Sequence, residues 1–161
     1  MDIKFGIVIG IKELIIMGLD QDLHIIKSKK TMEQIRKEME EIEMNLDITE
    51  EETEIQLEKY KEDLQMEDIA TWRKHANLQG YCTRLWKKRG HNTDFNCEYL
   101  ELFEEDIKDI IKHSKNHTLP YATGFFWGSS DEIDDERTVH IMEEALKYIQ
   151  LGYRVLYSSW W

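Results

Sequence analysis

The chain is poor in the residues that staple or punctuate a fold. Its 161 residues contain two cysteines, Cys82 and Cys97, and one proline, Pro120. Two thiols give no disulfide framework, so stability has to come from a packed core, and a reducing, intracellular setting is expected. No apolar run approaches the ~20 residues that a membrane-spanning helix needs. The run over residues 5–11, behind Lys4, is broken by Lys12 and Glu13 and followed by no small-residue cleavage site. Residues 1–16 therefore read as an N-terminal extension to a single domain over residues 17–161. The sequence also lacks a Gly-rich phosphate loop, a nucleophile elbow, a His-Glu-x-x-His helix and a Cys-x-x-Cys pair. Those absences weigh against an enzyme of a motif-defined class, and no cofactor is implied.

What is abundant is negative charge. The formal net charge is -12, and most of it lies in residues 32–67, where fourteen acids face four bases for a net of -10. Residues 69–93 reverse the sign, with six bases and no acid. In the acidic segment Met32, Ile35, Met39, Ile42 and Leu46 recur at steps of three and four, the stripe of an amphipathic helix. Thr49 with Glu52 three residues on is a capping-box signature for a second helix, with Leu57, Tyr60 and Leu64 as its apolar edge. The segment reads as an acidic helical hairpin inserted at about 32–67, projecting from the domain or packing along an edge. Its carboxylates either form a solvated face or imitate nucleic-acid phosphates on the basic surface of a partner. On the second reading Glu40, Glu43, Glu51 and Glu54 are the partner-binding residues, and the sign of the field disfavours direct DNA binding through this face.

The basic segment is read as one helix over 68–86, because Trp72, Ala76, Gln79, Thr83 and Trp86 fall on one side at helical spacing. Gly80 weakens its middle and suggests close approach by another element. Lys87, Lys88 and Arg89 suit the negative end of the helix dipole, with Gly90 as the stop. Trp72 and Trp86 are core anchors or, next to Arg73 and Arg84, stacking residues. An alternative ligand-binding set is thus Trp72, Arg73, Lys74, His75 and Arg84, joined by Phe126. His75, Cys82, His91 and Cys97 lack zinc-ligand spacing, and no metal site is expected. His113 and His117, four apart, close a helix beginning near Glu101, where the dipole favours them.

Residues 119–140, LPYATGFFWGSSDEIDDERTVH, place three aromatics between two glycines and then a block of acids. The stretch GFFWG reads as a short strand, with Phe125 and Trp127 on one face and Phe126 on the other. Ser129 or Ser130 can cap the following helix, whose first turns hold the acids. Ile141, Met142, Ala145, Leu146 and Ile149 form its buried side, Gly152 ends it, and YRVLYSSWW is a strand that buries Trp160. The expected fold is α+β: a small, mostly antiparallel sheet from strands at 20–27, 122–128 and 153–159, with helices on one face.

The stretches MGLDQDL (17–23), WRKHANLQGY (72–81), FNCEYLEL (95–102), LPYATGFFWG (119–128) and GYRVLYSSWW (152–161) resemble, in the same order, a family of small phage- and prophage-encoded proteins for which no activity is established. The resemblance implies that residues 1–16 precede the usual start. It carries over no functional residues, and the acidic hairpin departs from it. Together with the charge it implies a phage accessory binding protein in the cytoplasm of the host cell, inhibiting a nucleic-acid-handling defence complex through a basic surface of that complex. A nucleotide- or nucleic-acid-binding module, or a small enzyme using the basic and aromatic residues, is the competing expectation.

Overall fold

The structure is a computed structural model that describes residues 18–161, so the N-terminal extension lies outside the described residues. In chain order it runs β1 (Asp20–Ile26), α1 (Met32–Glu43), α2 (Glu50–Asp63), β2 (Glu67–Arg73), α3 (Ala76–Lys88), β3 (Glu98–Leu102), α4 (Glu104–Lys115), α5 (Glu132–Gln150) and β4 (Arg154–Trp160). The strands form one antiparallel sheet in the order β2-β1-β4-β3. The fold is α+β, as the sequence implies.

Alternation along the strands sends side chains to two covered faces. Leu23, Ile25, Trp72, Leu100, Leu102, Val155 and Tyr157 face the main core, against residues of α3, α4 and α5 such as Leu78, Trp86, Ile107, Ile110 and Met142. Ile26 and Leu156 point the other way and are buried by Ile35 and Met39 of α1 and Leu64 at the end of α2. The acidic hairpin therefore lies on a sheet face as a third layer. It neither projects nor packs along an edge, because two aliphatic strand residues on that side need cover.

The hairpin is built as its caps dictate. Thr49 Oγ1 accepts from Glu52 N (3.2 Å) while Glu52 Oε2 accepts from Thr49 N (2.8 Å); Thr31 and Gln34 form the same box on α1. Tyr60 Oη donates to Glu38 Oε2 (2.6 Å) across the two helices. At the root, the Arg154 guanidinium is bidentate on Glu101 (2.7 and 2.9 Å) and donates to Ser28 O (3.0 Å). Of the expected apolar stripe, Ile35 and Met39 are buried and Leu46 is exposed, since the helix ends before it.

Three expected elements differ. The helix read over 68–86 is strand β2 followed by α3: Lys74 takes a left-handed backbone, φ 60°, and turns the chain, while pairing with the edge of β1 captures Ala70-Thr71-Trp72, of which Thr71 and Trp72 are β-prone. The helix expected from Glu101 starts at Glu104, because alternating Leu100 and Leu102 complete strand β3 on β4. The strand expected at 122–128 is a loop containing a turn in which Trp127 N donates to Gly124 O (3.1 Å). Phe125 is 93% exposed and Trp127 9%, so they share no face; flanking Gly124 and Gly128 favour the turn, and neither outer strand pairs with this segment. A Cβ on Gly80 would sit 2.4 Å from the Ala122 Cβ, so the close approach read from Gly80 is made by this loop. The cap of α5 is Asp131, whose Oδ1 accepts from Asp134 N (2.8 Å), and not Ser129 or Ser130.

Trp72 is 2% exposed and its indole N–H donates to Thr138 Oγ1 (3.0 Å), whereas Trp160 is 48% exposed, contrary to the core position expected for it. Trp72→Ala should cost about 3–5 kcal/mol in chemical denaturation, and Trp160→Ala less than about 1 kcal/mol.

Candidate functional site

On the hairpin side the sheet is only half covered. Residues of β1 on this face are Asp20, Asp22, His24 and Ile26, and α1 and α2 bury the Ile26 end. Cross-strand register sets the rest in rows. Asp20 lies between Arg73 and Trp160, Asp22 between Thr71 and Ser158, and Ser158 is flanked on its other side by Tyr99. The remaining polar face forms the floor of a cleft of about 220 Å³ beside the hairpin, which Glu43 and Lys61 border.

A β-bulge places one residue on this face of the sheet that alternation alone would not. Leu23 pairs with Ala70 but His24 pairs with Asp68, leaving Ile69 as the extra residue of β2. Ile69 and Ala70 both pack toward the main core, and Asp68 thereby turns to the His24 side. His24 Nδ1 is 2.5 Å from Asp68 Oδ1 and His24 Nε2 is 2.7 Å from Ser158 Oγ. His24 is 5% exposed, with the Tyr99 ring edge-on to its imidazole at 5.3 Å. Burial raises the Asp22 carboxyl, which His24 counteracts and Asp68 and Asp20 reinforce. Burial likewise raises Tyr99 and keeps it a phenol. For Lys61 burial works against the charge, but Glu58 at 2.8 Å together with the surrounding Tyr99 and Asp68 outweighs it, and the ammonium is held above its ordinary value.

The partner-binding residues read from sequence, Glu40, Glu43, Glu51 and Glu54, are all solvent-exposed, and none forms an ion pair within the described residues, unlike Glu38, Glu41 and Glu58. Only Glu43 reaches the cleft. The alternative ligand set is dispersed. Trp72 is buried on the core side, while Arg73 faces the other way, 3.9 Å from Asp20. Lys74 lies along Gly128 and Gly18 at the corner, Arg84 is exposed on α3, and Phe126 is half-buried and receives Leu19 N on its carbonyl (3.1 Å).

His75 is fully buried. Its Nδ1 is 2.7 Å from Ser130 Oγ, which also accepts from Asn77 N (2.9 Å) at the start of α3, and its Nε2 lies 3.8 Å from Asp135. Asp135 in turn receives His117 Nδ1 (3.0 Å). These groups latch the 117–130 loop to α3 and α5. The other residues weighed as metal ligands are apart: Cys82 is buried in the core, Cys97 is exposed, and His91 stacks on Trp86 at 3.6 Å.

The sequence reading missed the Ser158, His24 and Asp68 chain. Its one local trace is a histidine in the apolar end of a strand, DLHII; the rest depends on register and the bulge. Comparison with protein-family models, curated proteins and solved structures finds no match to this chain. Among the described residues no helix is long and apolar enough to cross a membrane.

The latch gives opposite pH linkages. Burial drives His75 down to about 4 from 6.5, against the pull of Asp135 and Asp131. The unfolded chain therefore binds a proton that the folded one refuses, and stability falls as pH drops from about 6.5 to about 4, by up to roughly 3 kcal/mol. His117 is raised by its bond to Asp135, so its contribution is present at low pH and lost as pH rises through its folded value. In thermal melts, His75→Gln should flatten the fall in Tm across the lower window relative to the parent chain.

Proposed function

We propose that the protein is an accessory binding protein whose acidic hairpin docks on the basic surface of another protein. One observation carries this reading. Glu40, Glu43, Glu51 and Glu54 stand exposed with no internal cation, on a hairpin whose other side is anchored to the sheet through Ile35, Met39 and Leu64. A fixed array of unneutralised carboxylates projects a field that steers a basic partner and matches the spacing of charge on a phosphate backbone only in sign, which suffices for capture of a phosphate-binding surface. On the resemblance drawn from the sequence, the partner is a host nucleic-acid-handling defence complex and the protein a phage-encoded inhibitor of it. The rival reading, a ligand site on the basic and aromatic residues, is weakened by Trp72 and Arg73 facing opposite sides of β2.

Reversing Glu40, Glu43, Glu51 and Glu54 to Lys should leave the melting temperature nearly unchanged, since exposed changes cost about 0.5 kcal/mol or less each. It should abolish salt-sensitive retention of host proteins on the immobilised chain, because screening shortens the field to about 8 Å at physiological ionic strength. Retention that survives this reversal and disappears in an Arg73→Gln, Arg84→Gln double variant contradicts the hairpin reading.

A further inference from the structure

The hairpin reading leaves the cleft beside it without a role, and the cleft holds an arrangement that solubility and packing do not require. Asp68, a carboxylate whose side chain is 69% exposed, can only accept from His24 Nδ1, which places the ring proton there. His24 Nε2 is then the acceptor for the Ser158 hydroxyl at 2.7 Å. The hydroxyl, its base and the group orienting the base are thus in series, and Ser158 lines the cavity. Lys61 and Tyr99, an ammonium and a phenol, line the same cavity and can donate to an oxyanion formed there. Met39 and Leu57 supply an apolar wall. At about 220 Å³ the space is smaller than the ~300 Å³ lower bound of drug-sized sites and suits a short acyl group. Asp22 and Glu43 in its lining disfavour an anionic one.

We propose that Ser158 is a nucleophile for acyl transfer from small uncharged esters, with His24 as its base and Asp68 as the positioning residue. Ser158 Oγ forms a bond to the acyl carbon as its proton passes to His24 Nε2. The bond from that carbon to the alcohol oxygen breaks, and the alcohol leaves with the proton from His24. Water, deprotonated by the same nitrogen, then cleaves the acyl-serine, and the proton returns to Ser158. The exposure of Asp68 leaves the imidazole less firmly oriented than a buried acid would, so slow turnover is expected and covalent labelling is the more sensitive readout.

The test is reaction of the full chain with a small alkyl fluorophosphonate, in which the Oγ–P bond forms, the P–F bond breaks and His24 takes the proton. Peptide mass spectrometry should place one adduct on Ser158, absent from Ser158→Ala. His24→Gln should slow labelling by about 100-fold or more, the usual range for loss of a general base. Asp68→Asn, at the exposed end of the chain, should slow it while leaving Tm unchanged, which a merely structural contact would not do. p-Nitrophenyl acetate should give a burst that is lost with Ser158→Ala. The proposal is overturned by an unlabelled Ser158 in the folded chain, or by Asp68→Asn labelling at the parent rate. Because it does not depend on Glu40, Glu51 or Glu54, reversing those three to Lys while keeping the cleft-lining Glu43 tests the hairpin reading and leaves this proposal standing or falling on its own.

Discussion

A four-stranded sheet with helices packed on both faces imposes one constraint on everything else: each covered strand residue has to find a partner in the helical layer on the side to which alternation sends it. Where the partner is apolar the result is ordinary core. Where the residue is polar, a network has to answer it. Gln21 is fully buried on the core side and does so by donating to His75 O (3.1 Å) and Tyr157 Oη (2.7 Å) while accepting from His75 N (2.9 Å). Tyr157 Oη continues to Gln79 Oε1 (2.7 Å), and Gln79 Nε2 to Phe95 O (3.2 Å). This chain ties β1 and β4 to the turn that begins α3, and burial holds the Tyr157 phenol well above its ordinary pKa. Removing one member would strand buried donors or acceptors, which costs more than the bond itself contributes.

The same constraint on the opposite face explains why the hairpin is more than an acidic appendage. Its inner side closes over Ile26 and Leu156, and its outer side carries the charge. The face beyond its reach stays open and polar. Cleft and charged surface share a border at Glu43.

Much of the local structure was legible in the residues. Thr49 and Glu52 formed the box they advertise, Gly80 marked a real close approach, and Gly152, with φ 89°, ends α5. The helical pattern over 68–86 misled for a physical reason. Trp72, Ala76, Gln79 and Trp86 do all point inward, but Trp72 does so from a strand, and a corner at Lys74 joins the two periods. The 122–128 segment had strand composition, but neither outer strand of the sheet pairs with it and its flanking Gly124 and Gly128 favour a turn. The Ser158, His24 and Asp68 chain was illegible because its other two members are 44 and 134 residues from His24, brought together by register and a one-residue bulge that no local pattern announces.

The central claim, that the hairpin is a structural layer as well as a surface, can be tested by excision. Lys27 N and Ser28 N both donate to Leu64 O (3.2 and 3.4 Å), so the two ends of the hairpin lie close and a short Gly-Ser link from Thr31 to Leu64 can replace residues 32–63. Thermal unfolding of that shortened chain is the decisive measurement. The account predicts loss of a cooperative transition, together with binding of a hydrophobic dye to the uncovered Ile26 and Leu156 face. A cooperative melt at the temperature of the intact chain would contradict it.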